Sequence, residues 1–303
     1  MREDWPSVSV VVPVHNSEDT IGTCLESIFN LDYPKDKLEV IVVDDSNDGT
    51  PEIVRQFDVN HIRFNRRVGI GYARRIGVEK AKGELSASTD SDCRVEPNWL
   101  KELTKHFERQ EVGGVAGGVI LHPYNTMGKY VGVLGFPAGG LLGFDVMFPV
   151  KKSGEIERIS TANAIFRRKI LLEVGNFHPS FFYGGEDVNL SLRITESGLY
   201  KLIYEPRAIV HHYESRNTLS GFTKWHIRRG AAYHSIHKRK YKVGLSLGQK
   251  FVHYLNLLSK MRVFCKKDNE VYFPVLLLLA LLMIFCTGIG YIIAALIGED
   301  KIH

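Results

Sequence analysis

Acidic residues that could do chemistry occur in three short groups along this 303-residue chain. The groups are Asp44-Asp45, Asp90-Ser91-Asp92 and Glu186-Asp187. Two carboxylates one residue apart place oxygen ligands near a common point, and such ligands suit Mg²⁺ or Mn²⁺ carrying a phosphate. A carboxylate at the start of a helix can serve as an N-cap or as a general base. An isolated Asp-x-Asp is most often a solvated turn, so these groups indicate a site only where the fold brings them together.

Cationic residues and glycines accompany the acids. Gly69-x-Gly71 lies within a set of arginines that could bind a phosphate, namely Arg66, Arg67, Arg74 and Arg75. Two glycines directly before Glu186 would allow a ligand to approach the backbone closely. His212 ends the strand-like stretch 208–210 and could ligate a metal, although a lone histidine is more often structural.

The elements that must position these residues alternate between short apolar runs and amphipathic segments. The runs 8–14 and 39–43 are continuous and β-branched, which is typical of parallel strands buried on both faces. Further strands are predicted at 61–64, 85–89, 115–120 and 201–204, and helices at 21–28, 72–81, 98–110, 167–174 and 187–197. The predicted fold is therefore α/β with a mainly parallel central sheet and flanking helices. Ligands of such sheets bind at the carboxyl ends of the strands, where the first two acidic groups stand.

The C-terminal part of the chain has the composition of a membrane-associated segment. Residues 221–270 hold 12 Lys or Arg against 2 Asp or Glu, and residues 271–297 contain no charge. A helix of that uncharged length is long enough to cross a bilayer, and the basic side before it predicts that the N-terminal part is cytoplasmic. Apolar residues at helical spacing between 247 and 261 predict an amphipathic helix on the membrane surface; an ordinary surface helix is the alternative. The predicted domains are 1–217, 218–267 and 271–297.

One apolar stretch before this region is predicted to be a loop. Residues 131–150 contain five glycines, Pro137 and one charged residue, Asp145. Glycine and proline at this density disfavour a helix, so we expect a mobile loop near the membrane.

Composition excludes several classes of protein. The chain is 44% hydrophobic and 24% charged, which excludes a disordered protein. Its four cysteines are scattered, which argues against a disulfide framework or a structural zinc site. Because the positive charge is concentrated in one segment rather than spread over the chain, no nucleic-acid partner is expected.

Seven short motifs follow one another along the chain: VVVPVHN (10–16), VDDSNDGT (43–50), GIGYAR (69–74), DSD (90–92) with WL (99–100), TAN to RR (161–168), GNF (175–177) and GED (185–187). In this order they resemble the motifs of the family 2 glycosyltransferases, and the resemblance covers residues 7–230. The resemblance implies an inverting transferase with the A-type nucleotide-sugar fold.

The resemblance implies a role for each matching residue. The nucleotide sugar would be bound by Pro13, His15, Asn16, Glu18, Asp45, Gly69, Arg74, Asp90 and Ser91. Asp92 and His212 would ligate Mn²⁺ or Mg²⁺, and Asp187 would be the catalytic base. On the acceptor side would stand Gly185, Glu186, Trp225 and Arg229.

The motifs also bear on the substrates. Arg67 and Arg75 stand where asparagines are common in the family, and the second motif is one residue shorter than the commonest form. The short form resembles mannan-type synthases and favours GDP-mannose over UDP-sugars as donor. The Gln-x-x-Arg-Trp motif of processive synthases is absent, so one sugar per encounter is expected. The membrane segment favours a lipid-linked acceptor, and a glycan acceptor is the alternative. A catalytically silent, membrane-tethered nucleotide-sugar-binding subunit and a sugar-nucleotidyltransferase remain the alternatives.

Overall fold

The computed structural model describes residues 4–214, 217–238 and 247–297. The strands are β1 (Val8–Val14), β2 (Leu38–Asp44), β3 (Asn60–Arg63), β4 (Leu85–Thr89), β5 (Cys93–Val95), β6 (Val112–Pro123), β7 (Glu155–Ile156), β8 (Asn163–Arg167) and β9 (Lys201–Glu214). The α-helices are α1 (Ile21–Phe29), α2 (Thr50–Val54), α3 (Ile70–Lys80), α4 (Trp99–Thr104), α5 (Thr126–Val133), α6 (Phe144–Met147), α7 (Arg168–Glu173), α8 (Glu186–Glu196), α9 (Leu219–Lys238), α10 (Leu247–Lys267) and α11 (Phe273–Ile297). Short 3₁₀ helices lie at Lys35–Lys37, Lys105–Glu108 and Gly140–Leu142.

The strands form one mixed sheet in the order β3-β2-β1-β4-β8-β6-β9-β5, with β7 beside β9. The predicted α/β class is confirmed, and β3, β2, β1 and β4 are parallel as expected. Beyond β4 the pairs β4–β8, β6–β8, β5–β9 and β7–β9 are antiparallel. The sequence predicts the parallel half better because helices of predictable length join its neighbouring strands, which requires parallel crossovers.

The parallel half is buried on both faces, as its apolar runs predict. All seven residues of β1 are buried. In β2, Val40 and Val42 pack in a core with α1, whereas Ile41 and Val43 pack in a second cluster with Ala73 of α3. Because successive strand residues point to opposite faces, this alternation shows that helices cover the sheet on its two sides.

The chain divides into two compact units. The first contains residues up to Val119 together with Val150–His212, and the second contains Ile120–Pro149 and the residues from Tyr213 onward. The first unit therefore holds most of the sheet and all three acidic groups. The second unit holds α5, α6 and the three C-terminal helices.

Within the second unit, α9 packs closely against α11 through glycines. A Cβ atom on Gly290 would lie 1.8 Å from the carbonyl oxygen of Ile227, and one on Gly230 would lie 2.0 Å from that of Thr287. Backbones can approach this closely only where a side chain is missing. The helix α11 is the one candidate membrane span among the described residues, with a mean hydropathy of 2.6.

Three helical segments interrupt the loop predicted at residues 131–150. The helix α5 ends within it, and the 3₁₀ turn Gly140–Leu142 and α6 follow. The side chain of Asn125 caps α5 by accepting a hydrogen bond from the backbone N–H of Gly128 at 3.0 Å. Gly132 is needed for packing, since a Cβ there would lie 2.6 Å from Leu121. Glycine density here reflects close packing as well as turns.

Candidate active site

The loops after β1 and β2 lie side by side because these parallel strands are paired in register, with Val14 opposite Asp44. Asp45, the next residue, is buried, and its Oδ1 lies 2.8 Å from Nδ1 of His15. Its Oδ2 accepts hydrogen bonds from the backbone N–H groups of Val68 at 2.7 Å and Gly69 at 3.3 Å. Asp45 therefore ties together three of the predicted nucleotide-binding segments.

Further hydrogen bonds join the loop after β1 to the segment after β2. The backbone N–H of Asn16 donates to Ser46 Oγ at 2.9 Å, and Asn16 Oδ1 accepts from the N–H of Asn47 at 2.9 Å. Glu18 Oε2 accepts from the N–H of Gly49 at 2.7 Å. Asn16 has a φ of 51°, a left-handed conformation that asparagine tolerates better than most residues. Both predicted side chains thus use a carboxylate or amide oxygen to hold the neighbouring loop.

Sequence reasoning left Asp44 without a role, and the structure gives it one. Asp44 is fully buried, and its Oδ2 lies 2.9 Å from His61 Nε2 and 2.9 Å from Arg63 Nη1. Burial alone would raise the pKa of Asp44, but hydrogen bonds from Ser46 and His61 and the charge of Arg63 hold it below its ordinary value. The sequence did contain a signal for this role of Asp44. His61 and Arg63 alternate in β3, so both side chains lie on the face toward Asp44.

The segment Gly69–Gly71 is held by backbone contacts with residues 181–182. Gly69 has a φ of 84°, and a Cβ there would lie 2.9 Å from the Cα of Phe182. The N–H groups of Ile70 and Gly71 donate to the carbonyls of Phe182 and Phe181 at 3.1 and 3.0 Å. These contacts use the first N–H groups of α3, so a phosphate there would compete with them. The guanidinium of Arg67 lies over the rings of Phe182 and Tyr183.

Arg74 is a buried cation that joins two of the acidic groups. Its side chain is 2% exposed, Nη2 donates to Asp90 Oδ1, and Nη1 donates to Glu186 Oε1. Its Nε also donates to Ser88 Oγ at 3.3 Å. The predicted phosphate-binding cation thus neutralises carboxylates of the protein, and it fixes the end of β4 to the start of α8.

Glu186 and Asp187 occupy the first turn of α8, where Gly185 is the N-cap residue with a φ of 94°. Glu186 is buried, whereas Asp187 is half-buried. Burial raises the pKa of Glu186 to about 7; the charge of Arg74 opposes this shift, and repulsion from Asp187 adds to it. Glu186 Oε2 is buried and has no hydrogen-bond partner within the part of the chain that the structure describes. Of the two acids, Asp187 is therefore the one with access to solvent.

A cluster of potential metal ligands forms where β4 ends and β5 pairs with β9. It consists of Asp90, Asp92, Cys93 and His212, whose ligand atoms all lie within 4.8 Å of one another. The register of the two strands places Cys93 opposite His212. His212 Nε2 lies 3.5 Å from Asp92 Oδ1, and its Nδ1 is buried without a partner among the described residues. Two of these four, Asp92 and His212, are the predicted metal ligands.

This ligand set fits a divalent cation. Ligands of one ion at bond lengths of about 2.1 Å lie at most about 4.2 Å apart, so these ligand atoms must move closer together to bind one ion. Two carboxylates and an imidazole suit Mn²⁺, and carboxylates with water suit Mg²⁺. Ser91, between the two aspartates, has its Oγ 2.8 Å from Ser17 Oγ, which links this turn to the loop after β1.

Three predicted residues remain, namely Pro13, Trp225 and Arg229. Pro13 is buried in β1 opposite Val43. Trp225 and Arg229 belong to α9 in the second unit, where Arg229 lies over the rings of Phe136, Trp225 and Tyr233 at 4.9, 5.0 and 5.3 Å. The first unit thus brings together the predicted donor, metal and base residues, and these two acceptor-side residues form a separate aromatic cluster.

The structure adds Asp44, Cys93 and Ser17 to the predicted set. Each is adjacent in sequence to a predicted residue, so proximity to a motif was the available signal. Cys93 directly follows Asp90-Ser91-Asp92, but its isolation from other cysteines gave no indication of a metal site.

A mixed α/β sheet with acidic residues at the ends of β2 and β4 is the arrangement expected of the A-type nucleotide-sugar glycosyltransferases. The fold agrees with that of the mannosyltransferase from Pyrobaculum calidifontis, solved in complex with GDP-Man and Mn²⁺. The TM-score is 0.64 at 23% identity, over 99% of this chain and 89% of that one.

Sequence comparisons give the family. Residues 9–175 match the family model described as Glycosyl transferase family 2. The glycosyltransferase AglE of Haloferax volcanii is 30% identical over 223 residues, which cover 70% of this chain and 68% of AglE. A Methanococcus voltae protein, named a dolichyl N-acetyl-α-D-glucosaminyl phosphate 3-β-D-2,3-diacetamido-2,3-dideoxy-β-D-glucuronosyltransferase, is 26% identical over 74% of this chain and 72% of its own length. The chain belongs to glycosyl transferase family 2. The predicted family and enzyme class are confirmed, and they decide against the sugar-nucleotidyltransferase alternative.

Proposed function

We propose that the chain transfers a sugar, with inversion, from a nucleotide-diphosphate donor to a membrane-associated, lipid-linked acceptor, and that the reaction depends on Mn²⁺ or Mg²⁺. The observation that carries the proposal is the contact of one buried guanidinium, Arg74, with both Asp90 and Glu186. This contact holds the metal-ligating cluster at a fixed place relative to Asp187. A leaving diphosphate and an attacking hydroxyl would need that arrangement of charge and base.

The proposed roles on the donor side are those that the family resemblance implies for residues in the first unit. Asp45 would receive the base of the nucleotide, in a pocket with Pro13, His15, Asn16 and Glu18. Asp90 and Ser91 would contact the ribose or the diphosphate. Asp92 and His212 would hold the metal ion, which when bound neutralises the charge of the leaving diphosphate.

Asp187 is proposed as the catalytic base. Inversion requires one base on the face of the sugar opposite the leaving group, to take the proton of the acceptor hydroxyl. Glu186 is a poor candidate because its Oε1 is occupied by Arg74 and its side chain is buried. Gly185 has a φ of 94°, which favours a residue without a side chain. The missing side chain would also leave space for the acceptor.

GDP-mannose is the proposed donor. The support is the short Asp-Asp-Ser motif after β2 and the likeness in fold to a mannosyltransferase solved with GDP-Man and Mn²⁺. Thermal-shift measurements with GDP- and UDP-sugars in Mn²⁺ test the preference. Stabilisation by UDP-sugars and not by GDP-mannose would overturn it.

The lipid-linked acceptor is supported by the second unit and by one relative. A row of apolar residues along α11 is more than half exposed, as lipid-facing residues would be: Leu278, Leu281, Phe285, Ile292 and Leu296. The relative from Methanococcus voltae is named for a dolichyl-linked substrate. We propose that 271–297 spans the cell membrane and that the catalytic part, 1–217, faces the cytoplasm.

Residues 218–267 are proposed to lie on the membrane surface. On α10, Leu255 and Leu258 are exposed, whereas Met261 packs inside the second unit, so part of the predicted apolar face is available to lipid. Residues 239–246 and the side chains of Leu247 and Phe251, which belong to this prediction, lie outside the described residues. On α9, Trp225 and Arg229 are proposed to act on the acceptor side.

The metal assignment is tested with Asp92→Asn. We expect this variant to lose metal-dependent donor binding while keeping its fold, because asparagine retains the shape but removes the charged ligand. Donor binding is measured with and without Mn²⁺, and transfer with and without excess EDTA. Full activity of the variant, or of the wild type in EDTA, would contradict the metal assignment. Absence of donor hydrolysis and of transfer by the wild-type protein under every metal condition would favour the silent-subunit alternative.

A further inference from the structure

We propose that Cys93 makes the cluster with Asp90, Asp92 and His212 a site for a thiophilic divalent ion, Zn²⁺ or Cd²⁺, which displaces the activating ion and inhibits the enzyme. The inference rests on the proposed function, since it concerns the same metal position. It assigns to a buried cysteine the choice between an activating and an inhibitory ion.

The strand register is the first observation. Cys93 and His212 are direct partners in the antiparallel pair of β5 and β9, so their side chains lie on the same face. Asp92 precedes Cys93, and its Oδ1 lies 3.9 Å from Cys93 Sγ and 3.5 Å from His212 Nε2. The sheet therefore presents sulfur, nitrogen and oxygen ligands at one point.

The burial of the ligands is the second observation. Cys93 is 1% exposed and His212 is 3% exposed, and His212 Nδ1 has no hydrogen-bond partner among the described residues. The other ring nitrogen, Nε2, faces Asp92 Oδ1 at 3.5 Å, so His212 presents a buried imidazole nitrogen to the cluster. The half-buried Asp90 and Asp92 leave a route from solvent to the cluster.

The chemistry separates the two kinds of ion. Mg²⁺ and Mn²⁺ prefer oxygen ligands and leave the thiol protonated, so they keep coordination positions open for phosphate oxygens. Zn²⁺ and Cd²⁺ bind a thiolate: the S–H bond breaks, its proton goes to solvent, and a metal–sulfur bond forms without any change of oxidation state. With four protein ligands the tetrahedral preference of Zn²⁺ is satisfied, as in closed structural sites. A diphosphate would then have no position on the ion.

The experiment uses the full chain in detergent, with Cys265→Ser and Cys286→Ser to remove the two cysteines of the second unit. Cd²⁺ alone is the probe, and its binding to a thiolate is followed by the ultraviolet charge-transfer band. Bound Mn²⁺ is followed by electron paramagnetic resonance. We expect about one equivalent of Cd²⁺ to produce the band and release Mn²⁺. Cys93→Ser should lose the band and lower the ratio of Cd²⁺ to Mn²⁺ affinity by at least about tenfold.

Cys24→Ser is the matched control. Cys24 is equally buried, and its Sγ lies 3.5 Å from the carbonyl oxygen of Asp90, but it is not one of the clustered ligands. This variant should retain the band and the release of Mn²⁺. If Cys93→Ser fails to fold, cadmium NMR of the Cys24→Ser protein identifies sulfur ligation with Cys93 as the one cysteine left.

The outcomes separate the two proposals. Mn²⁺ binding without a thiolate band, or a band that persists in Cys93→Ser, overturns the role of Cys93 and leaves the proposed function intact. A band that depends on Cys93 in a protein that binds no Mn²⁺ or Mg²⁺ supports the inference and overturns the proposed metal dependence. Binding of neither kind of ion overturns both.

Discussion

The acidic edge of the first unit and the helices of the second unit are held together by different contacts. At the edge, short polar side chains at strand ends are fixed by hydrogen bonds and by one buried cation, Arg74. In the second unit, backbones meet at Gly230 and Gly290, and rings surround Arg229. Polar contacts of the first kind fix atoms at stated distances, which chemistry requires. The packing contacts of the second unit fill space, and they determine how closely two helices approach.

The two kinds of contact predict different effects for a substitution at the acidic edge and a substitution at the helix contact. A change at the edge should alter binding or turnover with little effect on folding, unless it removes the one charge that compensates the others. A change at the helix contact should alter folding alone. The following predictions test that separation, from the largest expected effect to the smallest.

Arg74→Met should have the largest effect on stability. It lies at the acidic edge but should impair folding, because it removes the charge that compensates the carboxylates. It leaves Asp90 and Glu186 without their buried cation, and removal of one partner of a buried ion pair costs about 3–5 kcal/mol. Chemical denaturation measures the loss. Arg55→Met is the control, since the Arg55–Glu52 pair is exposed and should contribute little to stability. Equal losses in the two variants would refute the central position given to Arg74.

Asp187→Asn should lower turnover by roughly 100-fold or more while donor binding and unfolding remain near wild type. Asparagine keeps the shape of the side chain and an oxygen that can accept from the backbone N–H of Val188, but it cannot accept a proton. Steady-state kinetics and donor affinity are measured on the same sample, with the exposed Glu196→Gln at the other end of α8 as control. Turnover near wild type would mean that the acceptor ionises without this base or that another residue supplies it.

The sequence predicted the edge well because its chemistry depends on local order. Strand, turn and acid follow one another in β2 and β4, and parallel pairing brings their carboxyl ends together whatever the details of the helices. The contacts of Asp45 with His15 and Val68 are consequences of that pairing. Cys93 was missed because its partner His212 is distant in sequence, and the register of two antiparallel strands decides their contact.

The second half of the sheet and the second unit were harder to predict for the same reason. β9 continues through Pro206, although proline has no N–H to donate and usually marks the end of a strand. In residues 131–150 the glycines were interpreted as loop formers, but Gly132 permits the close packing of α5. Composition does not distinguish a glycine that bends a chain from one that admits a neighbour.

Gly290→Ala should destabilise the second unit by about 1–3 kcal/mol, the usual cost of forcing a methyl group into a packed contact. A Cβ at this position would lie 1.8 Å from the carbonyl oxygen and 3.0 Å from the Cα of Ile227, so the backbones of α9 and α11 must separate. Gly288→Ala is the matched control on the same helix, because a Cβ there meets nothing within 4 Å. Thermal unfolding in detergent compares the two. Equal midpoints would contradict the glycine contact, and a loss of donor affinity in Gly290→Ala alone would contradict the separation of packing from chemistry.

The smallest expected effect is on how steeply the unfolding free energy changes with pH. One proton contributes at most about 1.4 kcal/mol per pH unit to that slope. Burial raises the pKa of Glu186 from 4.5 to about 7, so its contribution to stability is complete below pH 4.5 and is lost as the pH rises through 7. Glu186→Gln should flatten the unfolding free energy across that interval.

Glu205 is a carboxylate whose pKa is shifted in the opposite direction. Burial would raise its pKa, but hydrogen bonds from Arg207, Lys105 and His106 lower it to about 2. Its contribution is complete above pH 4.5 and is lost as the pH falls through 2, so Glu205→Gln should flatten only that acidic interval. Denaturant unfolding from pH 2 to 8 measures both slopes. If Glu186→Gln leaves the upper slope unchanged, Arg74 keeps Glu186 ionised throughout, and the cation at the centre of the site outweighs burial.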